Sequence, residues 1–331
     1  MKCLYSKHIA FFLLFALLVG CGNTAKQKQQ AAEETDQPAF PEFDADSAFQ
    51  YIVAQCAFGP RVLESEAHER CGQYIASRFA QFGCQVSLQR AEFTRYDGLH
   101  QSGYNIIAST GGNHARRILI CAHWDSRPWA DQDADPAQWQ TPIDAANDGA
   151  SGVAVMLELA RLIQRDSLAV GVDFVCFDAE DMGAPAWEAH APKGEDDWCL
   201  GAQYWARHPH RKDFALGILL DMVAGEGARF YQEGFSKYYA PGVVEQVWQA
   251  ALHAGFGDFF PAQAGGTITD DHVPVNRVAG IPTKDIIAYY PAAPNSFGTT
   301  WHTRQDNVEH ISLYPLKAVG QTLVQLLYAQ K

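Results

Sequence analysis

Val172-Asp173-Phe174-Val175-Cys176-Phe177 runs without a break into Asp178-Ala179-Glu180-Asp181. The first part is a short, nearly continuous apolar run rich in β-formers, and it reads as a strand covered on both faces. The second part places carboxylates at the C-terminal end of that strand. Two other segments repeat the arrangement. Residues 118–122 are apolar and lead into His123-Trp124-Asp125, and the run 216–222 carries Asp221 directly after Leu220. Further strands are expected at 85–94, 104–109 and 286–290.

Helical signals fall between these strands. Ser65 is placed to cap a helix whose Cys71, Tyr74, Ile75, Phe79 and Phe82 recur at helical spacing, with Gly83 ending it. Asn147 is placed to cap a second, with Val153, Met156, Leu157, Ala160 and Ile163 inward and Glu158, Arg161 and Arg165 outward. A third covers about 243–254. A fourth starts near Ser312 and buries Leu316, Val319, Leu323 and Leu327. Strands alternating with helices give an α/β fold: a mostly parallel central sheet with helices on both faces, its first two strands forming an antiparallel edge. In such sheets ligands bind beyond the carboxyl ends of the strands.

Carboxylates and imidazoles gather at those ends: His123, Asp125, Asp148, Asp178, Glu180, Asp181 and Asp221, with Asp270-Asp271-His272 and Trp301-His302-Thr303 downstream. Singly, each has a bland explanation as a turn, cap or surface residue. Together they repel one another unless a cation neutralises them. With histidine among the donors, zinc fits better than calcium or magnesium.

The order His-x-Asp, Asp-Gly, adjacent Glu-Asp, Asp, then His resembles the zinc aminopeptidases of the co-catalytic type. Within that superfamily the chain looks closest to the glutaminyl-peptide cyclotransferases. The segments that carry the likeness are Ala122-His123-Trp124-Asp125-Ser126, Asp148-Gly149-Ala150-Ser151-Gly152, Phe177-Asp178-Ala179-Glu180-Asp181, Thr269-Asp270-Asp271-His272-Val273-Pro274 and Trp301-His302-Thr303. The resemblance implies one zinc per chain, held by Asp148, Asp181 and His302, and Glu180 as general acid/base. It implies Asp221 as a second catalytic carboxylate hydrogen-bonded to Asp270, and Trp301 and Trp187 as walls of the substrate pocket. It further implies cyclisation of N-terminal glutamine on peptides and proteins, with ammonia leaving. Asp181 stands where the animal cyclases carry Glu, and the spacing after it departs from theirs, which bears on Trp187. The rival reading is a two-metal aminopeptidase, with His123 and Asp221 binding a second zinc bridged by Asp148. Every residue that such a site needs is present.

Lys2 and Lys7 precede an apolar run at 9–19 that has the length of a signal-peptide core rather than of a membrane span. Leu18-Val19-Gly20-Cys21 resembles a lipobox. Residues 1–20 are therefore expected to be a lipoprotein signal peptide, Cys21 the lipidation site and 21–42 a flexible tether. Residues 43–331 form a single domain. The expected location is a bacterial membrane, the outer membrane facing the periplasm, since no Asp follows Cys21 directly. Contact with lipid is expected through the anchor only. A formal net charge of −13 argues against nucleic acid as a partner. None of the eight cysteines has zinc-finger spacing; Cys121 and Cys176 sit in strand-like runs as buried thiols, and a pair among Cys56, Cys71 and Cys84 is left open.

Overall fold

The computed structural model describes residues 40–166, 168–188 and 195–330. The expected signal peptide, lipid site and most of the tether lie outside these. The compact unit spans Phe40–Lys331. Its helices are α1 (Ala45–Cys56), α2 (Glu66–Gln81), α3 (Ala150–Ile163), α4 (Leu200–Arg207), α5 (Gly234–Tyr239), α6 (Pro241–His253) and α7 (Leu313–Tyr328). Its strands are β1 (Gln85–Thr94), β2 (His100–Ser109), β3 (Arg117–His123), β4 (Gly171–Phe177), β5 (Phe214–Asp221) and β6 (Thr283–Ile287).

The strands form one sheet in the order β1-β2-β4-β3-β5-β6. β4, β3, β5 and β6 run parallel, whereas β1 pairs antiparallel with β2, and β2 antiparallel with β4. The fold class and the antiparallel edge match the expectation. Period-two alternation sorts each central strand onto two cores. Ile118, Ile120 and Ala122 of β3 pack with α1, α2, α3, α6 and α7, while Leu119 and Cys121 face Ala202 and Trp205 of α4.

Ser65 caps α2, accepting from His68 N at 3.0 Å, and Gly83 follows the helix with φ +78°. Asn147 does not cap α3. The helix starts after Gly149, and Asn147 Oδ1 instead accepts from Ala224 N at 2.8 Å, tying the loop to the end of β5. Glu158 is not outward either. It is fully buried, held by a two-bond pair to Arg161 at 2.7 and 2.5 Å, so the polar face of the helix is narrower than its charges suggest. β6 begins and ends three residues earlier than expected, because Lys284 and Asp285 are buried in the sheet rather than exposed in a loop. β2 extends back to His100 because an edge ladder needs backbone partners, not apolar side chains. Helices α1, α4 and α5 were not anticipated. The six cysteines among the described residues are all free thiols, and Cys121 and Cys176 are fully buried.

Candidate metal centre and catalytic cavity

His123 ends β3, Asp221 ends β5, and Glu180 and Asp181 lie just past β4, so the topology delivers four site residues to one sheet edge. Asp148 arrives from the loop before α3. That helix approaches the sheet closely: a Cβ at Gly152 would lie 2.4 Å from Leu220 O. Gly149 has φ +100°, and a Cβ there would stand 2.9 Å from the His123 ring. The Asp-Gly-Ala-Ser-Gly spacing is thus what lets Asp148 reach the strand ends. Its backbone is fixed from behind by Asp306, which accepts from Asn147 N and Asp148 N at 2.7 and 3.0 Å. Burial pushes the Asp306 carboxyl up to about 7.

Asp148 is the centre of the arrangement. Its Oδ1 lies 3.0 Å from His123 Nε2, and its Oδ2 lies 3.8 Å from His302 Nε2. His302 Nε2 is also 3.2 Å from Asp181 Oδ1, and His123 Nε2 is 3.3 Å from Asp221 Oδ1. Two ligand groups result, Asp148–Asp181–His302 and His123–Asp148–Asp221, each with its donor atoms within 4.8 Å of one another. The donors fit a zinc-type ion, being imidazole nitrogen and carboxylate oxygen in tetrahedral-site number. Asp181 Oδ2 is buried without a hydrogen-bond partner, as a coordinating oxygen would be.

The carboxyls carry the strain of being gathered. Burial, with the neighbouring carboxylates, pushes Asp221 up to about 6 and Asp270 up to about 7, and holds Glu180 well above the usual range. Burial raises Asp181 too, but the charges of His302 and Arg127 outweigh it and keep this carboxyl low. The backbone is strained at the same places. Ala179 (φ +55°), Met222 (φ +47°) and His302 (φ +55°) are non-glycine residues in the left-handed region, each at or beside a site residue.

A cavity of about 300 Å³ opens over the centre, with Asp148, Glu180, Asp181, Asp221, Asp270 and His302 on its floor. Its volume suits one amino-acid side chain and the adjoining backbone. Trp301 lines it, stacked on His302 at 3.7 Å between ring centroids, and Phe297 backs Trp301 at 4.7 Å. Trp187 is not among the lining residues. It packs with Trp129 and Trp139, at 6.0 and 6.1 Å. Trp198 lines the cavity instead, near-parallel to the His302 ring at 6.2 Å. No sequence signal separated the two tryptophans, since both follow Asp181 in a loop of unfamiliar spacing. Asp270 faces the cavity, whereas Asp271 is buried beside it with both oxygens unpartnered. Asp221 and Asp270 do not hydrogen-bond to each other. Asp221 is engaged by His123, and Asp270 Oδ1 accepts from Asp271 N at 2.5 Å. Asp125, Arg127 and Asp131 were assigned no role from sequence, yet they hold the site together.

The comparisons with known proteins agree with this geometry. The crystal structure of the Bacteroides thetaiotaomicron glutaminyl cyclase bound to N-acetylhistamine superposes with a TM-score of 0.86 at 46% identity, covering 88% of this chain and 100% of that one. A Zn-dependent exopeptidase from Parabacteroides distasonis gives 0.85 at 46% identity, with 88% and 100% covered. The aminopeptidase YwaD of Bacillus subtilis is 27% identical over 242 residues, 69% of this chain, and the match spans only 45% of that protein's length. The profile of Peptidase family M28 matches residues 105–327, the stretch that supplies every side chain on the cavity floor, and the chain belongs to that family.

Proposed function

We propose that the protein cyclises N-terminal glutamine of peptides and proteins to pyroglutamate, releasing ammonia, as a glutaminyl-peptide cyclotransferase. The observation that carries this reading is the cavity itself, in which Glu180, Asp221 and Asp270 face the Asp148–Asp181–His302 group beneath Trp301, in a chain 46% identical to a glutaminyl cyclase over the whole of that enzyme's crystallised chain.

In the reaction the α-amine nitrogen attacks the side-chain carbonyl carbon of its own residue. A C–N bond forms, the bond to the amide nitrogen breaks, and ammonia leaves. Both reacting groups belong to one residue, so orientation is worth much: well-placed intramolecular reactions reach effective molarities of about 10⁵–10⁸ M. Asp148, Asp181 and His302 would hold one zinc, which when bound supplies Lewis-acid polarisation of the side-chain carbonyl. Glu180, its proton affinity raised by burial and by Asp181, takes a proton from the α-ammonium and returns one to the departing nitrogen, a role worth typically ~10²–10⁴-fold. Asp221 accepts a hydrogen bond from that nitrogen as it leaves, and the buried Asp270 beside it keeps the pair from carrying two full charges. Trp301, Trp198 and Phe297 wall the cavity with apolar surface, which excludes water and limits hydrolysis to glutamate.

A second reading is favoured by one observation. His123, Asp148 and Asp221 form the second ligand group, as a two-metal aminopeptidase would need. Mass spectrometry separates the two readings. Cyclisation makes a Gln-peptide lighter by one ammonia and leaves a Leu-peptide intact; release of free leucine by the purified protein overturns the cyclase reading. Membrane attachment through a lipid on Cys21, facing the periplasm, belongs to the same proposal and is supported by the apolar run at 9–19 and the residues before Cys21.

A further inference from the structure

One guanidinium lies behind the metal-ligand group, fully sheltered from solvent. Arg127 Nε and Nη2 make a forked pair with Asp131 at 2.7 and 2.8 Å. The remaining nitrogen, Nη1, donates to Asp181 Oδ1 at 3.1 Å and to the Asp181 and Gly183 carbonyl oxygens at 3.2 and 3.3 Å. Asp131 in turn places Oδ1 3.4 Å from His302 Nδ1, the ring nitrogen turned away from the ligand group, an ion-pair contact outside hydrogen-bond geometry, and receives Ala186 N on Oδ2 at 2.8 Å. The face of the guanidinium is covered by Trp198, 4.9 Å from the ring centre, the same indole that lies along His302. Arg127 therefore touches one of the three ligands, reaches a second through Asp131, and supports one wall of the cavity.

The division of labour on Asp181 is the informative part. Oδ1 accepts from Arg127 and also lies 3.2 Å from His302 Nε2, while Oδ2 is buried with no partner. A carboxylate with one oxygen pinned presents the other in a single direction. That matters more for Asp than for Glu, because Asp has one fewer torsion with which to reach.

We propose that Arg127 is a positioning residue for the metal centre: with Asp131, it holds Asp181 to one coordinating oxygen and fixes the His302 ring. This rests on the assignment of Asp148, Asp181 and His302 as ligands. Two effects of a buried guanidinium beside a dication oppose each other. Charge repulsion alone weakens metal binding, so its removal would tighten it. Orientation strengthens binding, and outer partners of metal ligands typically matter ~10- to 100-fold in affinity. The pinned oxygen and the forked pair make orientation the larger effect here.

The test uses the full chain loaded with zinc or with Co²⁺, comparing Arg127→Met, Arg127→Lys and Asp131→Asn with wild type. The readouts are the rate of zinc release to a chelator and the visible absorption of the Co²⁺ form, which reports coordination number. Faster release by about 10-fold or more, with weakened Co²⁺ absorption, is expected in all three. Arg127→Met strips a buried charge from two carboxylates and can fail to fold. Arg127→Lys keeps the charge without the fork, and Asp131→Asn keeps the volume while loosening the fork, so these two carry the test in that event. Slower release from Arg127→Met, or wild-type spectra and rates in Arg127→Lys and Asp131→Asn, overturns the proposal. Asp181→Ala and His302→Ala separate it from the ligand assignment: if they hold metal as tightly as wild type, the ligand assignment itself falls, whereas their losing metal beside unaltered Arg127 variants removes only the role of Arg127.

Discussion

Asp125 accepts the backbone N–H of Glu180 on one carboxylate oxygen, at 3.1 Å, and that of Asp181 on the other, at 3.2 Å. The proposed proton-transfer residue and its metal-ligand neighbour are thus set by one side chain from the preceding strand's end. From the other side, the carbonyls of Asp178, Ala179 and Glu180 accept from Gly201 N, Leu200 N and Cys199 N at 3.0, 3.1 and 2.9 Å. Asp125→Asn keeps the volume but turns an N–H₂ toward one of the two backbone donors. Leaving a buried donor unmet costs about 1–3 kcal/mol, and misplacement by about 1 Å at a reacting group costs up to ~10²-fold in rate. The variant is expected to melt lower and to lose about 10-fold or more in kcat; unchanged kcat would remove Asp125 from this role.

Glu180→Gln preserves shape and removes the proton acceptor. It should fold, retain bound zinc and lose more than ~10²-fold in kcat. Steady-state kinetics alongside metal analysis checks both halves, and substantial residual turnover assigns the proton to another group.

The proposed chemistry predicts one tightly bound zinc per chain, although the described residues offer two ligand groups sharing Asp148. The nucleophile is part of the substrate, so a metal-activated hydroxide would only compete for the carbonyl. His123 is then a partner for Asp148, Asp221 and Asp125 rather than a ligand. Elemental analysis of dialysed protein decides: two zinc ions per chain, both needed for turnover, would favour the aminopeptidase.

Lys284 offers a pH-dependent test of the fold away from the site. It is fully buried in β6, its ammonium donating to the Asp285 carbonyl and lying 5.2 Å from the Trp248 ring centre. Burial brings it from 10.5 down to about 8. Between pH 8 and 10.5 the unfolded chain binds the extra proton and the folded chain does not, so this residue makes stability rise with pH across that window and costs stability below it. At ~1.4 kcal/mol per pKa unit the cost at neutral pH is about 3–4 kcal/mol. Lys284→Met should therefore raise Tm at pH 7 and flatten the rise in Tm from pH 8 to 10. A lower Tm at pH 7 would mean that the ammonium's hydrogen bond and ring contact outweigh its desolvation.

Cys21→Ala should release the protein from membranes and leave turnover per molecule unchanged, since the cavity residues all lie beyond residue 147. Fractionation after a high-salt wash reads the outcome; retention in the membrane pellet would end the lipid-anchor proposal.

The strand ends were legible because a buried parallel strand announces itself as an unbroken apolar run, and the first polar residues after it must lie at the sheet edge. That logic found His123, Glu180, Asp181 and Asp221 from local pattern alone, and Asp148 from its place between one such strand and the next helix. The order of motifs along the chain added Asp270, Trp301 and His302. What tertiary structure decided is everything that depends on distances between segments remote in sequence. Arg127 and Asp131 look like ordinary loop charges until the fold sets them behind Asp181 and His302. Trp198 replaces Trp187 in the cavity because loop conformation, not spacing, selects which indole turns inward. Glu158 and Lys284 are buried against the pattern of their neighbours because packing from α1, α6 and the sheet closes over them. Periodicity reports which face of an element is covered; it carries no information on how two covered faces are brought together, and the partners of a buried charge are set at that second step.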